Sequence, residues 1–147
     1  MILKNIIKVS FYLGLCFVFT NVFADTTENS GEMKVQLGNL TGVTCQLSNQ
    51  DLKHGVFTSA VPKSLTNNDT EIFTLQQSLE GPDVVLTYQC GAGNISFEVQ
   101  QSYSLVLGHT PKVTIISNQG LTLDKNNTSS SVANGTAGVA NITIRSE

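Results

Sequence analysis

Tryptophan is absent from the 147 residues, charged side chains make up only 13%, and histidine occurs twice. The longest apolar stretch, 9–19 (VSFYLGLCFVF), has 11 residues, whereas a membrane-spanning helix needs roughly 20. What charge there is leans acidic, with 11 Asp and Glu against 8 Lys and Arg. That balance excludes nucleic acid as a partner and an electrostatic grip on anionic lipid, both of which need a basic surface. The lack of Trp leaves little material for a sugar-stacking platform or an interfacial aromatic belt.

The N-terminus has the three parts of an export signal. A short basic start (MILKNIIK) is followed by the apolar run, and Val22 and Ala24 occupy the small-residue positions of a cleavage site. Leu13-Gly14-Leu15-Cys16 has a lipoprotein outline, but Leu15 is bulky and the apolar run continues past Cys16. The expected organisation is a signal peptide at 1–24, a polar leader at 25–32 and one β-sandwich domain at 33–147. Lys4 and Lys8 fall in the signal, so the exported part carries six basic residues against 11 acidic, a formal −5. A bacterial-type signal places it in the periplasm or outside the cell, with no transmembrane segment after cleavage.

Losing Cys16 leaves Cys45 and Cys90, and an even pair in an oxidising compartment reads first as a disulfide. Val43, Cys45 and Leu47 alternate with Thr44 and Gln46, and Val84, Leu86, Tyr88 and Cys90 alternate with Val85, Thr87 and Gln89. Both cysteines therefore share a face with apolar residues and point to one core. A redox or metal role is the rival, but neither cysteine has a second one nearby.

From Met33 onward, short alternating runs are broken by Gly, Asn, Asp and Pro. Strands are expected at 34–40, 43–48, 55–58, 72–77, 84–90, 95–100, 103–107, 113–117, 121–123 and 139–144. Gly91-Ala92-Gly93-Asn94, between two strongly alternating runs, predicts a hairpin. No segment keeps helical spacing for three turns. The fold class that follows is all-β, a single-domain antiparallel β-sandwich with one disulfide. Polar loops are expected at 59–70 (SAVPKSLTNNDT) and 125–138 (KNNTSSSVANGTAG). The candidate binding positions there are Pro62, Asn67, Asn68, Asn126, Asn127 and Asn134.

No catalytic set emerges. His54 and His109 fall in expected turns, each without another His, Cys or paired carboxylate at ligand spacing. Gly91-Ala92-Gly93 follows a strand but opens no helix, so it lacks the N-terminus on which phosphate binding depends. Asp69 with Glu71, and Glu80 with Asp83, are acid pairs expected on loops. They could hold Ca²⁺ or serve hydrolysis, though solvated charge at strand ends is the simpler account. Asn-x-Ser/Thr triplets begin at Asn39, Asn68, Asn94, Asn126, Asn127, Asn134 and Asn141, and a chain rich in Asn and Thr produces these readily.

Two resemblances bear on the fold. Tyr88-Gln89-Cys90 resembles the Tyr-x-Cys of immunoglobulin domains, but no Trp lies between the cysteines and their separation of 45 is short for that family. Asn39-x-Thr41, Gly55-x-Phe57, Pro62 with Leu65, Phe73, Ser78-x-x-Gly81 and Val84-x-x-x-Tyr88 together resemble the aegerolysins and related actinoporin-like sandwiches. The resemblance spans about half the exported chain. It implies a secreted sandwich that recognises membrane lipid, sometimes with a pore-forming partner. The Trp and C-terminal aromatics of that family are missing, so the fold carries over and the lipid site does not.

The sequence thus points to an exported non-catalytic binding module with no cofactor. Its partner is a protein or a lipid or glycan surface ligand, met through loops at one end of the sandwich. An aegerolysin-like lipid binder and a secreted hydrolase are the alternatives.

Overall fold

A residue pattern of period two decides the architecture. Met33, Val35 and Leu37 are fully buried, whereas Lys34 and Gln36 between them are exposed. Val84, Leu86 and Tyr88 repeat the pattern, as do Ile95, Phe97 and Val99, and Ala140, Ile142 and Ile144. Each such run needs a second apolar face to cover it, and two sheets packed face to face supply it.

The computed structural model describes residues 31–77, 81–104, 108–124, 129–132 and 138–147. The expectations on the signal, on the leader before Gly31 and on Glu80, Asn126, Asn127 and Asn134 lie outside them. The described strands are β1 (Gly31–Leu40), β2 (Cys45–His54), β3 (Val56–Phe57), β4 (Ser64–Leu65), β5 (Thr70–Gln77), β6 (Asp83–Cys90), β7 (Gly93–Ser104), β8 (Gly108–Gln119), β9 (Leu121–Leu123), β10 (Ser129–Val132) and β11 (Gly138–Ser146). Sheet A has the order β10-β11-β1-β5-β3, with β9 also on β11; sheet B runs β4-β2-β6-β7-β8. Pairing is antiparallel except between β1 and β11, which run parallel. The parallel pair joins opposite ends of the described chain, as a parallel connection requires a long crossover.

The core lies between the sheets. Phe73 and Leu75 of β5 and the runs of β1 and β11 face the runs of β6 and β7, with Val61, Leu65, Leu121 and Leu123 at the margins. Each large side chain buried here contributes about 1.5–3 kcal/mol relative to exposure. Tyr88 and Phe97 lie nearly parallel, with ring centroids 6.4 Å apart. The Tyr88 hydroxyl, deep in the core, donates to the Pro62 carbonyl at 2.6 Å, and burial pushes its pKa far above the ordinary value. An immunoglobulin tyrosine corner reaches only a few residues upstream; this bond spans 26.

Cys45 and Cys90 form the disulfide. They are directly opposite on neighbouring strands of sheet B, with Cα atoms 4.1 Å apart. The bridge therefore staples two strands of one sheet, unlike the immunoglobulin bond between sheets. It closes a separation of 45 residues, which on the chain-entropy account stabilises by roughly 4 kcal/mol.

Several expected boundaries move. The expected break after 100 is absent, since β7 runs unbroken to Ser104; the rest of the expected strand 103–107 lies outside the described residues. β2 extends to His54 and β8 begins at Gly108, so His54 and His109 sit on strands rather than in turns, opposite Asp83 and Tyr103. β4 and β10 fall inside the two expected loops, and neither shows alternation because ladder bonds to β2 and β11 hold them. The hairpin turn is shorter than expected: Cys90 pairs with Gly93, leaving Gly91 and Ala92 as its tip. Gly91 has φ +60°, the positive first position of a type II′ turn. Gly81, before β6, has φ +85°, and a Cβ there would stand 1.9 Å from the Gln101 carbonyl oxygen.

Candidate functional site

The outward side chains of sheet A form rows set by strand register. Gln36 of β1 lies between Ile72 of β5 and Asn141 of β11; the next row is Thr70, Gly38, Thr143. Gly38 is therefore a gap at the centre of an otherwise continuous sheet. A Cβ on it would stand 3.3 Å from Thr143 Oγ1, 3.4 Å from Thr70 Oγ1 and 3.7 Å from the Ile142 carbonyl oxygen. Its φ is not positive, so the backbone does not require glycine here. A glycine inside a strand costs stability and marks a place of close approach.

The gap opens into a groove of about 480 Å³, bounded by Gln36, Leu40, Thr70, Asn141 and Thr143 and rimmed by Asn68 and Asp69. That volume is within the roughly 300–1,000 Å³ typical of small-molecule sites.

The rim is built by a tight turn. The Asp69 amide donates to the Thr66 carbonyl at 3.1 Å, and Asn68 has φ +66°. A positive φ at the third position of such a turn suits Gly or Asn, and asparagine tolerates it. Asn68 and Asn39 bind the turn to β1: the Asn68 amide donates to the Asn39 carbonyl at 2.8 Å, and the Asn39 amide to the Asp69 carbonyl at 3.1 Å. One Asp69 oxygen, Oδ1, accepts the Thr70 amide at 2.8 Å.

Beneath the rim, Asn39 is fully buried. Its Nδ2 donates to the carbonyls of Val43 (2.7 Å) and Leu65 (2.8 Å), and its Oδ1 accepts from the Thr41 amide (3.0 Å) and hydroxyl (2.8 Å). All four bonding positions are used, which is what burial of an amide demands. In this fold the Asn39 triplet offers no accessible acceptor for a glycan.

The expected binding positions separate. Asn68 stands on the groove rim. Asn67 turns away from it, its Oδ1 accepting from the Gly42 amide at 2.8 Å. Pro62 supplies the carbonyl that holds Tyr88. The groove thus lies on a sheet face, and only its rim belongs to the 59–70 segment. Sequence reasoning missed Gln36, Gly38, Asn141 and Thr143. The available signal was Gly38, a glycine interrupting the alternation of 34–40.

Sheet B carries the charged cluster on its outer side. Lys53 pairs with Asp51 on the surface. Asp83, expected on a loop, opens β6 and is only 7% exposed, and its Oδ1 has no hydrogen-bond partner among the described residues. Burial, reinforced by Glu98, raises its pKa above the ordinary carboxylate value, while His54 and Lys53 pull against that. The acid pairs do not converge: Asp69 rims sheet A and Asp83 lies in sheet B. Among the described residues no three His, Cys, Asp or Glu side chains are grouped as metal ligands, and no helix is long and apolar enough to cross a membrane.

No protein-family model and no curated protein matches the sequence. Solved structures do match the fold. The lipid binding protein Nakanori superposes with a TM-score of 0.57 at 14% identity, covering 79% of this chain and 71% of that one. IP-1A from Alcaligenes faecalis gives a TM-score of 0.52 at 11% identity, covering 82% and 94%. The chain is therefore similar to these two proteins in fold, and at these identities in fold alone.

Proposed function

We propose that the chain is an exported, non-catalytic recognition module whose ligand seats in the groove over Gly38. The groove itself carries this reading: a strand-centre glycine leaves a cleft walled by amides and hydroxyls on a rigid sheet. The same walls offer no nucleophile activated by a base, which an acyl or glycosyl transfer would need. Export follows from the signal-like N-terminus and is supported by the disulfide, a bond of oxidising compartments.

A lipid surface is the second reading. Its support is the fold likeness to a lipid-binding protein together with Leu40, which lines the groove and is 46% exposed.

The test is a glycan array alongside vesicles of phosphatidylcholine, sphingomyelin and cholesterol. Wild type is expected to bind at least one probe, Gly38→Val to lose it, and the sheet B variant Thr87→Val to keep it. Gly38→Ala, which adds only the crowded Cβ, covers the case in which the valine disturbs folding. Binding that survives both glycine substitutions, or no binding to any probe, contradicts the reading.

A further inference from the structure

From the chemistry of the groove walls, and resting on the groove reading above, we infer that the ligand is a neutral saccharide head, either free or carried on a glycolipid. The walls present Gln36 and Asn141, whose amides each donate and accept, and Thr70 and Thr143, whose hydroxyls do the same. The Asp69 carboxylate, fixed through Oδ1 by the Thr70 amide, adds an acceptor at the rim. Adjacent hydroxyls on a sugar ring are both donors and acceptors, so they match a wall of mixed amides and hydroxyls.

The same wall serves other heads poorly. Its lining contains no Lys, Arg or His, so a phosphate finds no charge-assisted partner in the wall itself, and Asp69 at the rim repels it; Lys34 stands one row beyond Gln36, and Arg145, beside Leu40, is engaged by Asp124. The wall contains no aromatic ring, so a quaternary ammonium finds no cation–π cage.

A sugar also has an apolar C–H face. Leu40 at one end of the groove and Ile72, 48% exposed in the Gln36 row, give that face aliphatic cover without an aromatic platform. Gly38 keeps the groove floor free of a side chain, with the Thr70 and Thr143 hydroxyls close on either side to meet the ring from below. Each element of the site sits on a paired strand or on the bonded turn, so little ordering cost attends binding.

The test uses calorimetric titration of the whole exported protein with methyl glycosides of glucose, galactose, mannose, N-acetylglucosamine and N-acetylgalactosamine. Parallel titrations use phosphatidylcholine vesicles with and without a neutral glycolipid. At least one glycoside is expected to bind saturably. Gln36→Ala and Asn141→Ala should each weaken it on the order of tenfold, and the sheet B control Lys112→Ala should leave it unchanged. Binding of glycolipid-loaded vesicles beside the free glycoside supports the same chemistry from a membrane source.

Phosphatidylcholine vesicles that bind through the groove, weakened by the same substitutions while every glycoside fails, would overturn the saccharide inference and leave the groove reading standing. Glycoside binding that ignores Gln36→Ala and Asn141→Ala would overturn the site. Failure of both probes would overturn the inference and the groove reading together.

Discussion

The two sheets share one core and differ in everything else. Sheet B is stapled by Cys45–Cys90, runs antiparallel throughout, and buries Tyr88 with its hydroxyl anchored on Pro62. Its outer face carries the exposed Asp51 and Lys53, the half-buried Glu98 and the buried Asp83. Sheet A has no disulfide among its described strands, and its central strand β1 pairs with β11, far along the chain. Its outer face carries amides, hydroxyls and a glycine gap, with Lys34 and Arg145 in the rows at either end. The covalent staple lies in one layer and the proposed groove in the other, with Asn39 joining them. From a strand of sheet A its amide reaches the Leu65 carbonyl on β4 of sheet B.

The comparison can be broken most forcefully at the staple. Cys45→Ala with Cys90→Ala should cost roughly 4 kcal/mol in urea unfolding, yet protein that remains folded should keep its groove ligand. A loss below about 1 kcal/mol would deny sheet B its role as scaffold. Next in size, Asn39→Ala takes the side-chain donor from the Leu65 carbonyl and leaves the Val43 carbonyl to the Thr41 hydroxyl alone, and about 1–3 kcal/mol should disappear from the unfolding free energy. Tyr88→Phe removes a single bond to the Pro62 carbonyl and should cost about 1 kcal/mol by the same assay.

Asp83→Asn should act in the opposite direction. Its folded pKa is raised, chiefly by burial. The native state therefore holds its proton more firmly than the unfolded chain does, and the residue's contribution falls as pH climbs from the ordinary carboxylate range through the raised value. The variant should equal wild type in acid and exceed it at neutral pH, as thermal unfolding across pH will show. The smallest stability effect belongs to Gln36→Ala, within about 0.5 kcal/mol because the side chain is exposed. This variant separates recognition from folding.

Much of the fold was legible because alternation is a direct print of burial. The runs around Val35, Leu86, Phe97 and Ile142 were readable, and the cysteines' shared face with apolar neighbours foretold their bond. Strands without alternation were not readable. Ser129–Val132 is held by ladder bonds to β11, and backbone pairing leaves no side-chain signature. The buried Asp83 was also hidden, because its sequence neighbours Gly81 and Pro82 look like a turn and its covering comes from other strands.

The groove was hidden for a further reason. Its walls come from β1, β5 and β11, and only register shows that Gln36, Thr70 and Asn141 share a face. The polar loops drew attention instead because flexibility is written in composition, whereas a cleft made by one missing side chain is written as a single glycine.

Amide chemical-shift mapping of the wild-type protein, titrated with the neutral methyl glycosides, tests the division of labour most directly. The account predicts saturable shifts confined to residues 36–40, 68–70 and 141–143. Shifts centred on sheet B or on the Gly91 hairpin would contradict it.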